Sequence, residues 1–279
     1  MGAYAHTLPT DHIYFYFHQG MQGPVPVIAP ASGTVTKGLN QGADSKVWVQ
    51  VNATFSYYVI HIIPAPGVIA GSRVEGGRRM GDAAGIAFDL GVQNANMRQA
   101  FVNPARYGHD TERTDAPLKE FEAGLRQTLY GKVRLVSDDL DGRINYDVAG
   151  TLSGGWFAED LAVSNSSNGD DPSVGMRQLA FARDAWMPDR LRISIGGLNM
   201  TVLYGIPPDT ADFSAVTLAS GPVTYRLLNT GEPGGPPGRD QLGLLLVEML
   251  DASRIRVEAV QTRAGTGATL SSESRVYVR

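Results

Sequence analysis

Short runs of alternating β-branched and aromatic residues, each closed off by Gly, Pro, Asn or Asp, recur along nearly the whole chain and constrain its fold more than any other feature. The clearest run, His12 to His18, reads HIYFYFH. A period of two puts Ile13, Phe15 and Phe17 on one side of an extended backbone and His12, Tyr14, Tyr16 and His18 on the other. Further runs at Val25–Ala29, Gly33–Thr36, Val47–Val51, Phe55–Ile63 and Ile86–Val92 are separated by turn clusters such as Ala31-Ser32-Gly33 and Asn40-Gln41-Gly42. Beyond Arg143 candidate strands follow at a spacing of roughly 8–16 residues, the pattern of a barrel or a sandwich. Examples are Ile144–Ala149, Arg190–Ile195, Thr201–Tyr204, Val223–Leu228, Gly243–Leu250, Arg254–Gln261 and Ser274–Val278. The 33 glycines and 16 prolines show no Gly-X-Y period and serve as turn formers. The expected fold class is all-β, with an N-terminal sheet domain and a C-terminal antiparallel barrel or sandwich.

A chain of 279 residues is long for one small β-domain, so two compact units are expected. Between Asn103 and Asp115 the composition turns polar, with Pro104, Gly108 and the charged stretch Asp110-Thr111-Glu112-Arg113. One helix is expected next: Asp115 caps it, Pro117 sits in its first turn, Leu118, Phe121, Leu125 and Leu129 form its apolar stripe, and Gly131 ends it. The expected divisions are 1–102 for the first domain, 103–131 for linker and helix, and 132–279 for the second domain. The Gly- and Pro-rich stretch Thr230 to Gly238 reads as a loop.

Basic and acidic residues are interspersed and nearly balanced, 24 against 28, which leaves no field to draw in nucleic acid or an anionic membrane. No apolar run reaches the ~18–20 residues needed to cross a bilayer. With no cysteine, disulfides and thiolate metal sites are excluded. Edge strands in two β-domains make self-association an open expectation.

Several segments carry a family resemblance in the right order. His6-Thr7-Leu8-Pro9-Thr10-Asp11 is followed by Val27-Ile28-Ala29-Pro30-Ala31-Ser32-Gly33-Thr34-Val35, then Tyr57-Tyr58-Val59-Ile60-His61-Ile62. Val68 to Gly81 supplies a glycine-punctuated stretch, and Gly85-Ile86-Ala87-Phe88-Asp89-Leu90 closes the series. Together they resemble the lysostaphin/LytM-type zinc endopeptidases that act on peptidoglycan. In that family the resemblance implies zinc ligands at His6, Asp11 and the second His of an H-x-H strand, with His61 and the first His of that strand stabilising charge or moving protons. The zinc would leave a fourth position for water and acidify it. Here Gly85 and Ala87 stand at the H-x-H positions, and four residues separate His6 from Asp11 where the family usually has three.

The resemblance therefore implies a scaffold without its catalytic metal. Asp89 shares a strand face with Gly85 and Ala87, but two residues along a strand is nearly 7 Å, too far to replace a lost ligand. His12 beside Asp11 is expected on the opposite face. Each remaining candidate also has a plain structural role: His6 with Asp11 as a loop pair, His61 as a satisfied strand histidine, Tyr14, Tyr16, Tyr57 and Tyr58 as sheet packing. His18 and His109 read as solvated.

The functional expectation is an exported, extracytoplasmic, non-catalytic module whose signal segment has been removed. Tyr14, Tyr16 and Tyr58 would line a groove for cell-wall peptide or glycan, with His61 and Asp89 as relics of the catalytic site and no cofactor. The alternative is a zinc endopeptidase with a rearranged ligand set that uses His6, Asp11 and one further donor. Another is a small-molecule site inside the C-terminal barrel, lined by Trp156, Phe157, Phe181 and Trp186. Gly154-Gly155-Trp156 resembles the G-x-W opening of lipocalin-like barrels. Asp138-Asp139-Leu140-Asp141-Gly142 and Asn168-Gly169-Asp170-Asp171 are oxygen-rich turns without the EF-hand spacing, so calcium is a minor alternative.

Overall fold

The computed structural model describes residues 10–17, 23–39, 44–163, 172–200, 202–230, 237–263, 265 and 267–279. His6, His18, Asn168 to Asp171 and most of the Gly- and Pro-rich loop lie outside the described residues.

The chain is all-β and divides into two compact units. One comprises Asp11–Gln99 with Asp110–Val133, and the other contains Ala100–His109 and Arg134–Arg279. The stretch 103–131 is thus shared between them.

The first unit is a nine-stranded sheet. Its strands are β1 (Ile13–Tyr16), β2 (Pro26–Ile28), β3 (Gly33–Leu39), β4 (Ser45–Gln50), β5 (Phe55–Pro64), β6 (Arg73–Val74), β7 (Arg79–Ala83), β8 (Ala87–Asn94) and β9 (Thr114–Asp115). The main path runs β1-β8-β5-β4-β3-β6, with β2 on β7, β7 also on β5, and β9 on β8. Alternation makes the sheet two-faced. Val47, Val49, Tyr57, Val59, Leu90 and Val92 enter one hydrophobic core, against which Ile13, Phe15 and Phe88 pack. Their neighbours Trp48, Tyr58, Tyr14 and Asp89 lie on the other face, which carries the candidate site.

The expected single helix from Asp115 to Gly131 is not formed. Thr114–Asp115 pairs with β8 as β9, with Asp115 opposite Val92. The Asp115 carboxylate accepts from the Ala116 amide at 2.8 Å and pairs with Lys119, so it turns the chain out of a strand and caps nothing. Pro117–Glu120 is a 3-10 turn, and Phe121 is extended, with φ −78° and ψ 152°. That extended residue lets the Phe121 ring pack against the sheet core. The helix α2 (Ala123–Tyr130), which follows the one-turn α1 (His109–Glu112), buries no residue, so of the expected apolar stripe Leu118 and Phe121, both ahead of α2, are packed, while Leu125 and Leu129 are not in the core.

The second unit is a closed antiparallel barrel of β10 (Gly154–Ala158), β11 (Gln178–Arg183), β12 (Leu191–Ile195), β13 (Val202–Gly205), β14 (Val223–Leu228), β15 (Gln241–Met249), β16 (Arg254–Val260) and β17 (Arg275–Val278). Each strand pairs with the next, and β10 closes on β17 through Phe157↔Val278. Every second residue points inward, so Trp156, Leu179, Phe181, Ile193, Tyr225, Val247, Val257 and Tyr277 share one core. Phe213, from a 3-10 turn between β13 and β14, joins it edge-on to Phe181 and Tyr225 with ring centroids 5.2 and 5.3 Å away. This interior is packed with side chains, as expected of a small eight-stranded barrel. Phe157 faces the opposite way, into a separate cluster with Phe101, Tyr107, Leu161 and Val174. Trp186 is only partly buried, under the Arg134 guanidinium.

The expected strand at Ile144–Ala149 is irregular. Asp147 draws this segment into a side-chain anchor instead, accepting from the Val102 amide at 3.0 Å, the Gly155 amide at 2.9 Å and the Tyr107 hydroxyl at 3.2 Å. The segment carrying this anchor joins no strand, and the barrel begins at Gly154.

Candidate functional site

The site is built on the outer face of β1, β8, β5 and β4. Register sets its layout: Tyr14 lies opposite Asp89, Tyr16 opposite Ala87, Ile60 opposite Asp89, Tyr58 opposite Gly91, and Trp48 opposite Tyr58. All of these residues share one face.

His61 reaches that face only through a defect in the ladder. Strict alternation from Tyr57 and Val59 would send it into the core. The pairing instead jumps from Val47↔Val59 to Ser45↔Ile62, leaving Ile60 and His61 together opposite Lys46. This is a β-bulge, and His61 takes its extra position with φ 62°, a left-handed conformation that non-glycine residues rarely adopt. The bulge returns Ile62 to the core and turns the imidazole outward, 47% exposed. Strain of order 1–3 kcal/mol accompanies such a residue.

Around Asp89 two imidazoles and two further carboxylates are arranged in series. Asp89 is 1% exposed, and its Oδ2 lies 3.4 Å from His12 Nε2 and 3.5 Å from His61 Nε2. His12 Nδ1 is 2.9 Å from Asp11 Oδ1, and His61 Nδ1 is 2.9 Å from Asp44 Oδ1. Asp11 and His12 precede the regular part of β1, so alternation does not separate them and both side chains reach the same site. The Asp89 Oδ1 is buried and accepts no hydrogen bond among the described residues. Burial raises the Asp89 pKa, and the charges of Asp44 and Asp11 add to the rise against the opposing effect of His12 and His61. For Asp11 burial also pushes upward, but the hydrogen bond and charge of His12, with Lys46 nearby, outweigh it and lower the pKa to about 2.

Tyr58 serves as a strut. It is fully buried, its hydroxyl donates to the Asp11 carbonyl at 2.9 Å, and its ring crosses β8 where that strand has no side chain. A Cβ at Gly91 would lie 2.0 Å from Tyr58 Cζ. Tyr14 and Tyr16 form the open part of the face. Their rings stack with centroids 5.9 Å apart and planes 22° apart, and Tyr16 is 45% exposed. Beside them Ile86 is 76% exposed, and a Cβ at Gly85 would meet nothing within 4 Å. Lys46 completes the face, its Nζ 4.8 Å from the Trp48 ring centroid and 4.6 Å from that of Tyr58.

The described residues offer no complete zinc ligand set, and His6 lies outside them. Gly85 and Ala87 offer no donor, and among the described residues no three His, Asp or Glu are grouped to hold a metal ion. Sequence reasoning missed Asp44, an exposed turn residue with no pattern around it, and set His12 aside on an alternation that begins only at Ile13.

No family profile matches the chain, and no curated protein is significantly similar. Similar solved structures include M23 and lysostaphin-type peptidases. A mutant catalytic domain of the prophage-encoded M23 protein EnpA from Enterococcus faecalis is 16% identical, covering 34% of this chain and 89% of that one, with a TM-score of 0.23. CbpA from L. salivarius REN is 20% identical over 33% of this chain and 68% of that one, TM-score 0.25. The solution structure of lysostaphin is 12% identical over 96% of this chain and 80% of that one, TM-score 0.28. All three are too distant to carry residue roles onto this chain. Among the described residues no helix is long and apolar enough to cross a membrane.

Proposed function

We propose that the N-terminal sheet is a non-catalytic binding module for an extended cell-wall peptide or glycan, carried by an exported protein and attached to a C-terminal barrel that acts as a structural unit. The observation that carries this reading is the stacked, part-exposed Tyr14–Tyr16 pair beside the open ground at Gly85 and Ala87. Flat aromatic surface next to polar groups suits a sugar ring or an extended peptide, and the small residues at 85 and 87 remove the donors that metal-assisted hydrolysis needs. The ordered motif resemblance supports a cell-wall polymer as the ligand and the cell envelope as the location. The packed barrel interior favours a structural role for the second unit over small-molecule binding.

Cosedimentation of the purified chain with insoluble peptidoglycan tests the reading. The chain is expected to pellet with the polymer and to release no soluble peptide. Tyr16→Ala is expected to weaken binding by about tenfold, in line with the loss of one aromatic contact. Release of cleaved peptides with one tightly held zinc per chain would show an enzyme instead.

A further inference from the structure

We propose that His61 is a pH-operated latch on this sheet face, tying Asp44 to the buried Asp89 while the bridge carries an added proton and letting go when that proton leaves. The latch is independent of what the face binds.

The geometry asks for more protons than a neutral ring has. His61 Nδ1 stands 2.9 and 3.1 Å from the two oxygens of Asp44, and its Nε2 stands 3.5 Å from Asp89 Oδ2. Ionised carboxylates only accept, a neutral imidazole has one N–H, and an imidazolium has two. One ring between two ionised carboxylates is therefore satisfied on both sides only when it is charged. A proton held by Asp89, whose pKa burial raises, serves the same contact from the other end. Either way the closed bridge carries one proton more than a neutral ring between two ionised carboxylates.

The outer members of the bridge are the ones able to move. Asp89 is buried on β8 between β1 and β5, opposite Tyr14 and Ile60. The side chains of His61 and Asp44 are both exposed. The bulge fixes the left-handed backbone of His61, so rotation about its side-chain bonds is enough to carry the imidazole into water. Once the added proton is lost, a nitrogen lone pair faces a buried carboxylate and the ring turns out. Asp44, just ahead of β4, then loses its tie to the face.

The surrounding charges set the direction of the switch. His12 Nε2 stands 3.4 Å from Asp89, with Asp11 behind it at 2.9 Å from His12 Nδ1. From β1 Tyr16 feels the Asp89 charge, which with burial raises its pKa. Lys46 on β4 lies across the ladder from His61 and rests over the Trp48 and Tyr58 rings. On β7 Asp82 is engaged by Arg79. Asp11, Asp44 and Asp89 thus share Lys46 and the two imidazoles, and discharging His61 leaves the cluster with negative charge in excess. Acid closes the latch and base opens it.

Amide hydrogen exchange of the full chain, read by mass spectrometry over residues 44–47 and 60–63 and corrected for the intrinsic pH dependence of exchange, tests the latch. The range runs from about pH 5.5 to about pH 8, over which imidazoles ordinarily change charge. Protection in both segments is expected to fall about fivefold across it, the scale of one ion pair with an exposed partner, while the β15 amides of the barrel stay level. His61→Asn keeps a residue that tolerates a left-handed backbone and does not titrate, and Asp44→Ala alters an exposed turn position. Each variant is expected to give a flat profile at the parent's high-pH level. A flat profile in the parent overturns the latch. A fall that persists in either variant assigns the effect to another group and overturns it equally.

Discussion

Replacing Gly91 by Ala is the sharpest probe of how this sheet face is assembled. The added methyl would sit 2.0 Å from Tyr58 Cζ and 2.3 Å from its hydroxyl oxygen, with the ring fully buried. Displacing the ring overpacks the face, at about 1–3 kcal/mol. It also separates the Tyr58 hydroxyl from the Asp11 carbonyl, now 2.9 Å apart, at about 1–3 kcal/mol for the buried groups left unpaired. Together these predict a loss of about 4 kcal/mol in the first unit. Amide hydrogen exchange of β5 and β8, read by mass spectrometry, measures this locally and keeps it apart from unfolding of the barrel. Tyr58→Phe, which removes only the hydroxyl, is expected to cost about 1 kcal/mol. In a Tyr58→Ala background the Gly91→Ala change loses its clash and is expected to be nearly neutral, so the double-mutant cycle yields a large coupling energy. A cost below about 1 kcal/mol for Gly91→Ala in the parent chain would refute the close-approach account.

Other perturbations follow from the same geometry. Arg279 is buried with its guanidinium 3.9 Å from the Trp156 ring centroid, and it donates to the carbonyls of Val148, Leu152 and Ser153. Arg279→Ala is expected to destabilise the barrel by about 3–5 kcal/mol, and Arg279→Lys to recover only part of that, since an ammonium cannot stack and fork to three acceptors at once; exchange of the β10 amides reads both. The lowered Asp11 pKa means that its contribution is present above 3.8 and is lost as pH falls toward about 2, amounting to about 2 kcal/mol; Asp11→Asn should abolish that part of the acid dependence in β8 exchange. Asp89 runs the other way. Its raised pKa favours the fold when protonated, so the stability difference between Asp89→Asn and the parent should move in the variant's favour as pH rises through the folded pKa.

Much of the fold was legible because strands advertise themselves by a period of two. The run from Ile13 to Tyr16 and those in β4, β5 and β8 assign their own core faces, and the inward series of the barrel follows the same rule. The misreadings have a common cause. Leu118, Phe121, Leu125 and Leu129 have helical spacing, yet Phe121 is pulled extended by the sheet core and Asp115 by its ladder with Val92. Ile144 to Ala149 has strand-like composition, yet Asp147 is claimed by donors 45 and 40 residues upstream and eight downstream. Local propensity is a weak force, and long-range contacts overrule it where they bury a ring or satisfy a carboxylate.

The candidate site divides in the same way. Residue order alone determined the two-faced strands, the tyrosine pair of β1, and the lack of donors at Gly85 and Ala87, because side-chain chemistry and alternation are local properties. Only the tertiary structure decided that His61 turns away from the core, that His12 shares a face with Asp89, and that Asp44 closes the series. A single extra residue in a ladder reverses the direction of everything after it, and where that residue falls depends on which strands pair, not on the sequence of either strand by itself.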